Sequence, residues 1–492
     1  MQDDSDSPAI VWLRQDLRLD DNPALAAAAA RGGPVIPVYI LDEDPESSPL
    51  GGASRWWLNR SLEALAGELA RRGSRLILRR GPAAEVLRAL LAETGAGAVF
   101  WNRLYDRQAI ARNRGIKAEL TEAGVEVRSF NAALLNEPWE IRNGAGLPYR
   151  VFTPYWRAAR ALVAEGPPPA LPARLCAPDA WPAADDLAAW GLHPANPNWS
   201  QGFSIWTPGE SGAHAALDRF IEGPLARYAG DRNRPDVEGC SRLSPHLHFG
   251  EIGPRQIWWA MQSARDQGQG SDSQIDSFLS EIGWREFNHH ILFHWPDLPE
   301  RNLKAPFDAF PWRDDAAGFT AWTLGRTGYP IVDAGMRELW ATGFMHNRVR
   351  MIVASFLIKD LMIDWRRGER WFGDTLVDAD IAQNAANWQW VAGSGADASP
   401  WFRIFNPVSQ GQKFDPHGVY VRRWVPELAG LPDAVVHAPW TAPGPVLARA
   451  GVDLGQSYPH PIVDHALARR RALAAFADLK QRALTGVPEE SE

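Results

Sequence analysis

The chain has 492 residues, 45% of them hydrophobic, and a formal net charge of −8. That length suits two domains with large cores and excludes a disordered chain, while the acidic balance excludes a generally basic nucleic-acid coat and confines any such contact to a local patch. Two cysteines exclude a four-thiolate zinc or iron–sulfur site, and 24 tryptophans favour a flat ligand, because indoles stack on planar rings.

The opening MQDDSDSPAI lacks the basic and apolar regions of a signal peptide. No apolar run reaches the roughly 18–20 residues of a membrane helix, since Lys359 and Asp360 interrupt MIVASFLIKDLMI. A cytoplasmic protein without membrane contact is expected. Apolar runs at 9–13, 34–40, 75–78, 98–101 and 125–130 predict strands, separated by helical stretches such as NPALAAAAARG and SRWWLNRSLEALAGELARRG, the second stopping at Gly73. Single helices between strands predict a doubly wound, five-stranded parallel sheet of Rossmann-like type. No GxGxxG follows the first strand, so a standard dinucleotide site is not expected there.

Residues 166–209 are rich in Pro, Ala and Trp without a sustained period and read as a connector packed across the surface. Beyond it, residues 273–295, 330–343 and 347–365 carry 3.6-residue periodicity, and 465–484 predict a last surface helix. The expected division is an α/β domain over 1–135, a linker over 136–209 and an all-α domain over 210–492.

One stretch, from His346 to Trp390, combines acids, arginines, an asparagine and tryptophans at unusual density. A turn leading into a helix would bring Asp378, Asp380 and Asn384 to one site. Trp388 and Trp390, two apart, point in opposed directions, one inward and one toward a cavity. His290 and His294 are spaced for a metal on one helix, but no carboxylate motif accompanies them, and no metal is expected.

Taken together, WLRQDLRLDDNPAL, GLPYRVFTPYWR, EGCSRLSPHLHFGEIGPRQ, SEIGWREF, TGYPIVDAGMRELWATGFMHNRVRM and DWRRGERWF followed by DADIAQNAANWQW and RIFNPVSQGQKFD resemble the photolyase/cryptochrome family over nearly the whole chain. The resemblance implies an α/β antenna-type domain, an all-α C-terminal domain that binds FAD, and light-driven repair of pyrimidine dimers in DNA by electron transfer from reduced FAD. It places Tyr228, Cys240, Ser241, Arg242, Leu243, Ser244, Phe278, Arg285, Asn347, Arg350, Asp378, Asp380 and Asn384 around the flavin dinucleotide. Cys240 stands where the family usually has Thr. Ser241 and Ser244, at an expected helix start, suit a pyrophosphate, and Arg350 is expected to pair with Asp378.

Asn384 takes the position beside flavin N5. Its neutral amide can accept from N5–H or reorient, and it supplies no proton, whereas plant-type cryptochromes resemble Asp there; the amide favours repair over signalling. Trp388, Trp365 and Trp312 match the family's electron relay, which charges the flavin without carrying the repair electron. Glu281, catalytic by resemblance together with Asn384, is expected to bond the base edges of a flipped-out lesion. Trp284 and Trp390 would stack on the two pyrimidines, with Arg232, Asn347, Arg348, Met351 and Gln410 around the cavity. Family members that repair (6-4) photoproducts place histidines at positions 347 and 351; asparagine and methionine cannot act as general acids, so a cyclobutane dimer is expected. The alternatives are a blue-light sensor of cryptochrome type and a (6-4) photolyase. A monomer is expected. A second antenna chromophore, a deazaflavin or a folate, has no assigned residues, with 54–62 and 101–113 as candidate linings.

Overall fold

The computed structural model describes residues 7–44, 49–164, 166–168, 170–171, 173–398 and 402–485. One compact unit extends to Ala226 and adds Ser241–Pro296 and Val377–Asp380; the second takes Arg227–Cys240, Asp297–Leu376 and the chain from Ile381 onward.

The first unit is built on five parallel strands, β1 (Ala9–Leu13), β2 (Val35–Leu41), β3 (Ile77–Arg80), β4 (Ala98–Asn102) and β5 (Glu126–Phe130), in the order β3-β2-β1-β4-β5. Ile10 lies opposite Ile36 on one side and Val99 on the other. Helices α1 (Pro23–Ala29), α2 (Gly52–Arg71), α3 (Ala83–Thr94) and α4 (Arg107–Glu122) form the connections. With helices on both faces the central strands need apolar side chains on both, which is why they read as unbroken apolar runs. Ile10, Trp12, Val38, Val99 and Trp101 pack with Leu87, Leu90, Ile116 and Leu120 in one core. β3 begins two residues later than its apolar run suggests, because Arg79 and Arg80 continue the ladder opposite Ile40 and Leu41. Gly73, at φ 75°, follows α2 in the left-handed conformation that a helix stop requires.

At the carboxyl end of β1 the buried Arg14 donates to Asn113 Oδ1 at 3.1 Å and to the carbonyl of Asn102. Asn102 donates to Asp16 at 2.6 Å and to Asn22 at 2.7 Å, and Asn22 in turn caps α1 by accepting from Leu25 N–H. The Arg14 guanidinium lies 4.3 Å from the centre of the Trp12 ring. Burial pushes its pKa down to about 9, opposed by Asp16. This is the crossover point of the sheet, where α/β proteins often bind ligands; here the chain's own polar side chains fill it.

The connector is laid against the sheet unit. Cys176 O accepts from Val35 N–H at 2.9 Å, Leu78 O accepts from Asp185 N–H at 2.8 Å, and Trp190 packs on Tyr39 with ring centres 6.1 Å apart. The unit also contains α5 (Phe152–Arg160), α6 (Glu210–Glu222), α8 (Ser244–His248), α9 (Pro254–Asp266) and α10 (Asp272–His294), with the short α7 (Tyr228–Asp231) belonging to the second unit. Its limits therefore differ from the sequence boundaries at 135 and 209. The reason is α10, whose polar side chains hold the segment after the sheet: Arg285 donates to Ala133 O at 2.6 Å, and Glu286 accepts from Leu135 N–H at 2.7 Å. Gly283 lets the helix approach closely, since a Cβ there would lie 2.6 Å from the Trp156 ring.

The second unit consists of α11 (Ala316–Thr323), α12 (Pro330–Thr342), α13 (Asn347–Ser355), α14 (Trp365–Thr375), α15 (Ile381–Ala392), α16 (Pro407–Phe414), α17 (Val419–Trp424), α18 (Gly444–Ala450) and α19 (His465–Thr485). A π-helical turn, Phe356–Asp360, continues α13, and the two charges that interrupt its apolar run are buried with partners. Lys359 donates to Arg403 O, and the Asp360 carboxylate meets His465 Nδ1 at 2.5 Å. Among the described residues no helix is long and apolar enough to cross a membrane.

Candidate functional site

In the first unit the acids follow α14 through a turn and lead directly into α15. Asp378 accepts from the Ser244 hydroxyl at 2.6 Å, which ties the acid turn to the start of α8. That helix is a single turn of five residues, too short for a strong dipole, and the Ser244 hydroxyl hydrogen is committed to Asp378. Arg242 itself sits at φ 56°, an uncommon left-handed residue that turns the chain before Leu243, which is buried.

Asp380 lies 3.5 Å from His289 Nε2 and 3.9 Å from His248 Nδ1. Burial opposes the charge of Asp380, but His289, His248 and Arg285 outweigh it and hold the carboxyl well below its usual range. Burial pushes His289 down to about 4 against the pull of Asp380, so that imidazole is neutral at physiological pH. Both histidines are buried, and none of their four ring nitrogens has a hydrogen-bond partner among the described residues. Buried nitrogens without partners are costly, and a polar ligand such as FAD would relieve them. Next to them burial raises Glu286 to about 7, with Arg285 and the amides of Leu135 and Asn136 opposing.

On α10, Phe278 is buried against Phe220, with ring centres 4.5 Å apart. Glu281 and Trp284 lie one turn apart, both half-buried. One face of Trp284 is covered by Phe152, stacked at 3.9 Å and 8°, and Phe287 meets the indole edge-on at 5.8 Å. His290 accepts from Tyr149 N–H with one ring nitrogen and meets Pro138 O with the other, and His294 also turns to Pro138 O. That pair is spent on backbone. The 54–62 stretch folds as part of α2, where Trp56 and Trp57 are buried and Trp57 Nε1–H donates to Glu251. Those two indoles are core.

In the second unit, α14 and α15 set the central geometry. A Cβ on Gly368 would fall 2.2 Å from the Trp388 ring, so only glycine lets the two helices close on that indole. Trp388 is buried against Phe372 at 5.0 Å and Trp322 at 6.3 Å, whereas Trp390 is half-buried, as opposed directions require. The wholly buried Trp365 donates its indole N–H to Asn302 at 3.1 Å, and Arg366 lies 4.8 Å over its ring. Trp312, half-buried, packs on Phe310 at 4.5 Å. One turn into α15, Asn384 donates its amide hydrogens to Glu369, to the backbone carbonyl at 2.9 Å and the carboxylate at 2.8 Å. The expectation that this amide could reorient is corrected by those two bonds.

Tyr228 is buried with Arg232 over its ring at 5.6 Å. The Cys240 thiol sits 3.5 Å from His346 Nε2, and His346 Nδ1 accepts from Arg348 N–H as the cap of α13. Arg348 makes a forked bond to Asn233 Oδ1 at 2.6 and 3.2 Å and covers Phe414 at 4.5 Å. Burial lowers its pKa, and the positive charges of Arg232 and Arg403 lower it further. Asn347 is exposed at the start of α13; Met351 and Gln410 are half-buried. Arg350 donates to Met345 O at 2.7 Å.

His248 and His289 in the first unit and Glu369 in the second were not legible in the sequence. A histidine in a helix gives no local sign of whether its ring is partnered, and Glu369 precedes its asparagine by 15 residues.

Comparison with known proteins gives this architecture its class: a photolyase-type α/β domain with a helical flavin-binding domain. Residues 9–174 match the family described as DNA photolyase, and residues 278–478 that described as the FAD binding domain of DNA photolyase. The chain is 55% identical over 476 residues to a deoxyribodipyrimidine photo-lyase of Agrobacterium fabrum, covering 96% of this chain and 98% of that one. It is 41% identical over 496 residues to cryptochrome-1 of Arabidopsis thaliana, covering 98% of this chain and 72% of that protein. Among solved structures, the crystal structure of a class III photolyase from Agrobacterium tumefaciens superposes with a TM-score of 0.94 at 55% identity, over 97% of this chain and 98% of that one. The chain belongs to the photolyase/cryptochrome family.

Proposed function

We propose that this protein is a light-driven cyclobutane pyrimidine dimer photolyase that uses FAD. The observation that carries the reading is the environment of Asn384: a neutral amide, anchored through both hydrogens, where a signalling member of the family would place an acid. The 55% identity to a protein named as a deoxyribodipyrimidine photo-lyase supports it over nearly the full chain.

When bound and reduced, FAD supplies the electron that opens the dimer. Ser241, Arg242, Ser244, Asp378 and Asp380 hold the dinucleotide, aided by Tyr228, Cys240, Leu243, Phe278, Arg285, Asn347 and Arg350. His248 and His289 present their unpartnered nitrogens to it. Arg232 and Arg348 draw in the DNA backbone, a phosphate term that weakens with salt. Trp284 and Trp390 offer their rings to the flipped lesion, with Met351 and Gln410 at the rim. Glu281 bonds the base edges. Trp388, Trp365 and Trp312 recharge oxidised flavin from the surface. Neither Asn347 nor Met351 can deliver a proton, which disfavours the (6-4) reading. A second chromophore, if bound, uses residues other than the core indoles of 54–62.

The test is to reduce the FAD-loaded chain and illuminate it with near-ultraviolet to blue light on DNA bearing either lesion. Cyclobutane dimers should disappear in light and persist in darkness, with (6-4) photoproducts untouched. Dimers that survive illumination would overturn the assignment.

A further inference from the structure

An asparagine amide has two orientations, and which one faces a cofactor decides whether it gives or takes a hydrogen bond. Here the protein has made that choice. Asn384 Nδ2 is 2.9 Å from Glu369 O and 2.8 Å from Glu369 Oε1, and both of those atoms are acceptors. Turning the amide over would set its oxygen against two oxygens. With both hydrogens committed, the carbonyl oxygen is the atom left to address the far side.

The helices are shaped for this contact. Glu369 stands on α14 between Gly368, whose Cβ would strike Trp388 at 2.2 Å, and Gly373, whose Cβ would reach the Asn384 amide nitrogen at 3.9 Å. Gly368 lets α15 lie close enough for Asn384 to reach the backbone and the side chain of one residue together, and a Cβ at Gly373 would make only ordinary contact. Among the described residues no lysine, arginine or histidine forms an ion pair with Glu369, so its carboxylate is spent on the amide. Burial raises the carboxyl, opposed first by the Asn384 bond and then by Arg370, as expected for a group held without a counter-charge.

We infer that Glu369 is a positioning residue that locks the Asn384 amide with its oxygen toward the flavin, favouring the reduced cofactor that carries a proton on N5. The inference rests on the proposed placement of Asn384 beside N5. An acceptor oxygen bonds an N5–H and repels the bare N5 lone pair of oxidised flavin; a released amide could turn and donate to the latter.

The experiment is potentiometric titration of the FAD-loaded chain, followed by flavin absorbance, for Glu369→Leu, Glu369→Gln and Asn384→Leu. Glu369→Leu removes one of the two acceptors and should shift the one-electron equilibrium at least tenfold toward oxidised flavin, a potential lower by about 59 mV. Glu369→Gln keeps an acceptor oxygen and should stay near the parent, while Asn384→Leu should move at least as far as Glu369→Leu. Should Glu369→Leu lose FAD during purification, Glu369→Met, matched in length, takes its place. If Asn384→Leu shifts the potential and the Glu369 variants do not, the positioning role is overturned and the N5 placement stands. If Asn384→Leu leaves the potential unmoved, the placement itself falls and the inference with it. A Gln variant that behaves like Leu would assign the effect to charge rather than orientation, and also overturns the proposal.

Discussion

Two polar clusters in the first unit look alike in composition and differ in bookkeeping. At the crossover of the sheet, Arg14, Asp16, Asn22, Asn102 and Asn113 each hold at least one hydrogen bond to another member or to the backbone nearby. Around Asp380, the buried rings of His248 and His289 hold none. The crossover network is closed except at Arg14 Nε, whereas, among the described residues, all four ring nitrogens of the histidine pair lack a hydrogen bond and face only the Asp380 carboxylate at 3.5 and 3.9 Å. The difference explains why the crossover point, the expected ligand crevice of an α/β sheet, is structural here, and why the helical cluster is the flavin candidate.

Each of the following substitutions can break that contrast. Asp16→Ala removes the acceptor of Arg14 N–H and Asn102 and the nearest charge that offsets the buried Arg14, and should cost about 3–5 kcal/mol of unfolding free energy, read by denaturant titration, with the FAD content of the folded fraction unchanged. Loss of FAD at full stability would place a ligand at the crossover instead.

Glu286 lies beside the bare histidines, and its folded pKa of about 7 stands above the unfolded value of 4.5. Its protonated form is favoured in the fold, so the stability it contributes is complete below pH 4.5 and is lost as pH rises through 7. The total is on the order of 3 kcal/mol. Stability of Glu286→Gln against pH, subtracted from that of the parent, should show this slope; parallel curves would show that the carboxyl is not perturbed.

Gly368→Ala pushes a methyl into Trp388 and should cost about 1–3 kcal/mol, with slower photoreduction of oxidised flavin. His289→Leu is the smallest and most telling change. It removes a ring that offsets the buried Asp380 charge from 3.5 Å away, so the FAD-free chain should not gain stability, while FAD affinity falls about tenfold. A destabilised apoprotein with unchanged FAD affinity would make the histidine an ordinary structural one.

The sequence carried the parts of the fold that depend on local pattern. Apolar runs such as AIVWL mark strands buried on both faces, and proline and glycine punctuate the helices. Motif order carried the family, and the turn at 378–380 leading into α15 follows from its spacing. What it did not carry are pairings made across long stretches of chain. Arg285 answers a carbonyl 152 residues away, so a residue expected at the flavin also pins the segment after the sheet and moves the unit boundary. Trp284 has one face covered by Phe152, 132 residues earlier, which no periodicity within α10 reveals. The orientation of Asn384 likewise depends on how closely Gly368 allows α14 and α15 to approach.

The most direct measurement is a single-flash experiment on the reduced, FAD-loaded chain bound to a duplex carrying one cyclobutane dimer, with Trp388→Phe run alongside. Dimers should be lost after the flash and not in the dark, and the pre-reduced Trp388→Phe chain should match the parent, because the relay recharges the flavin and does not carry the repair electron. Dimers that persist after the flash, or that vanish equally in darkness, would contradict light-driven repair by this chain.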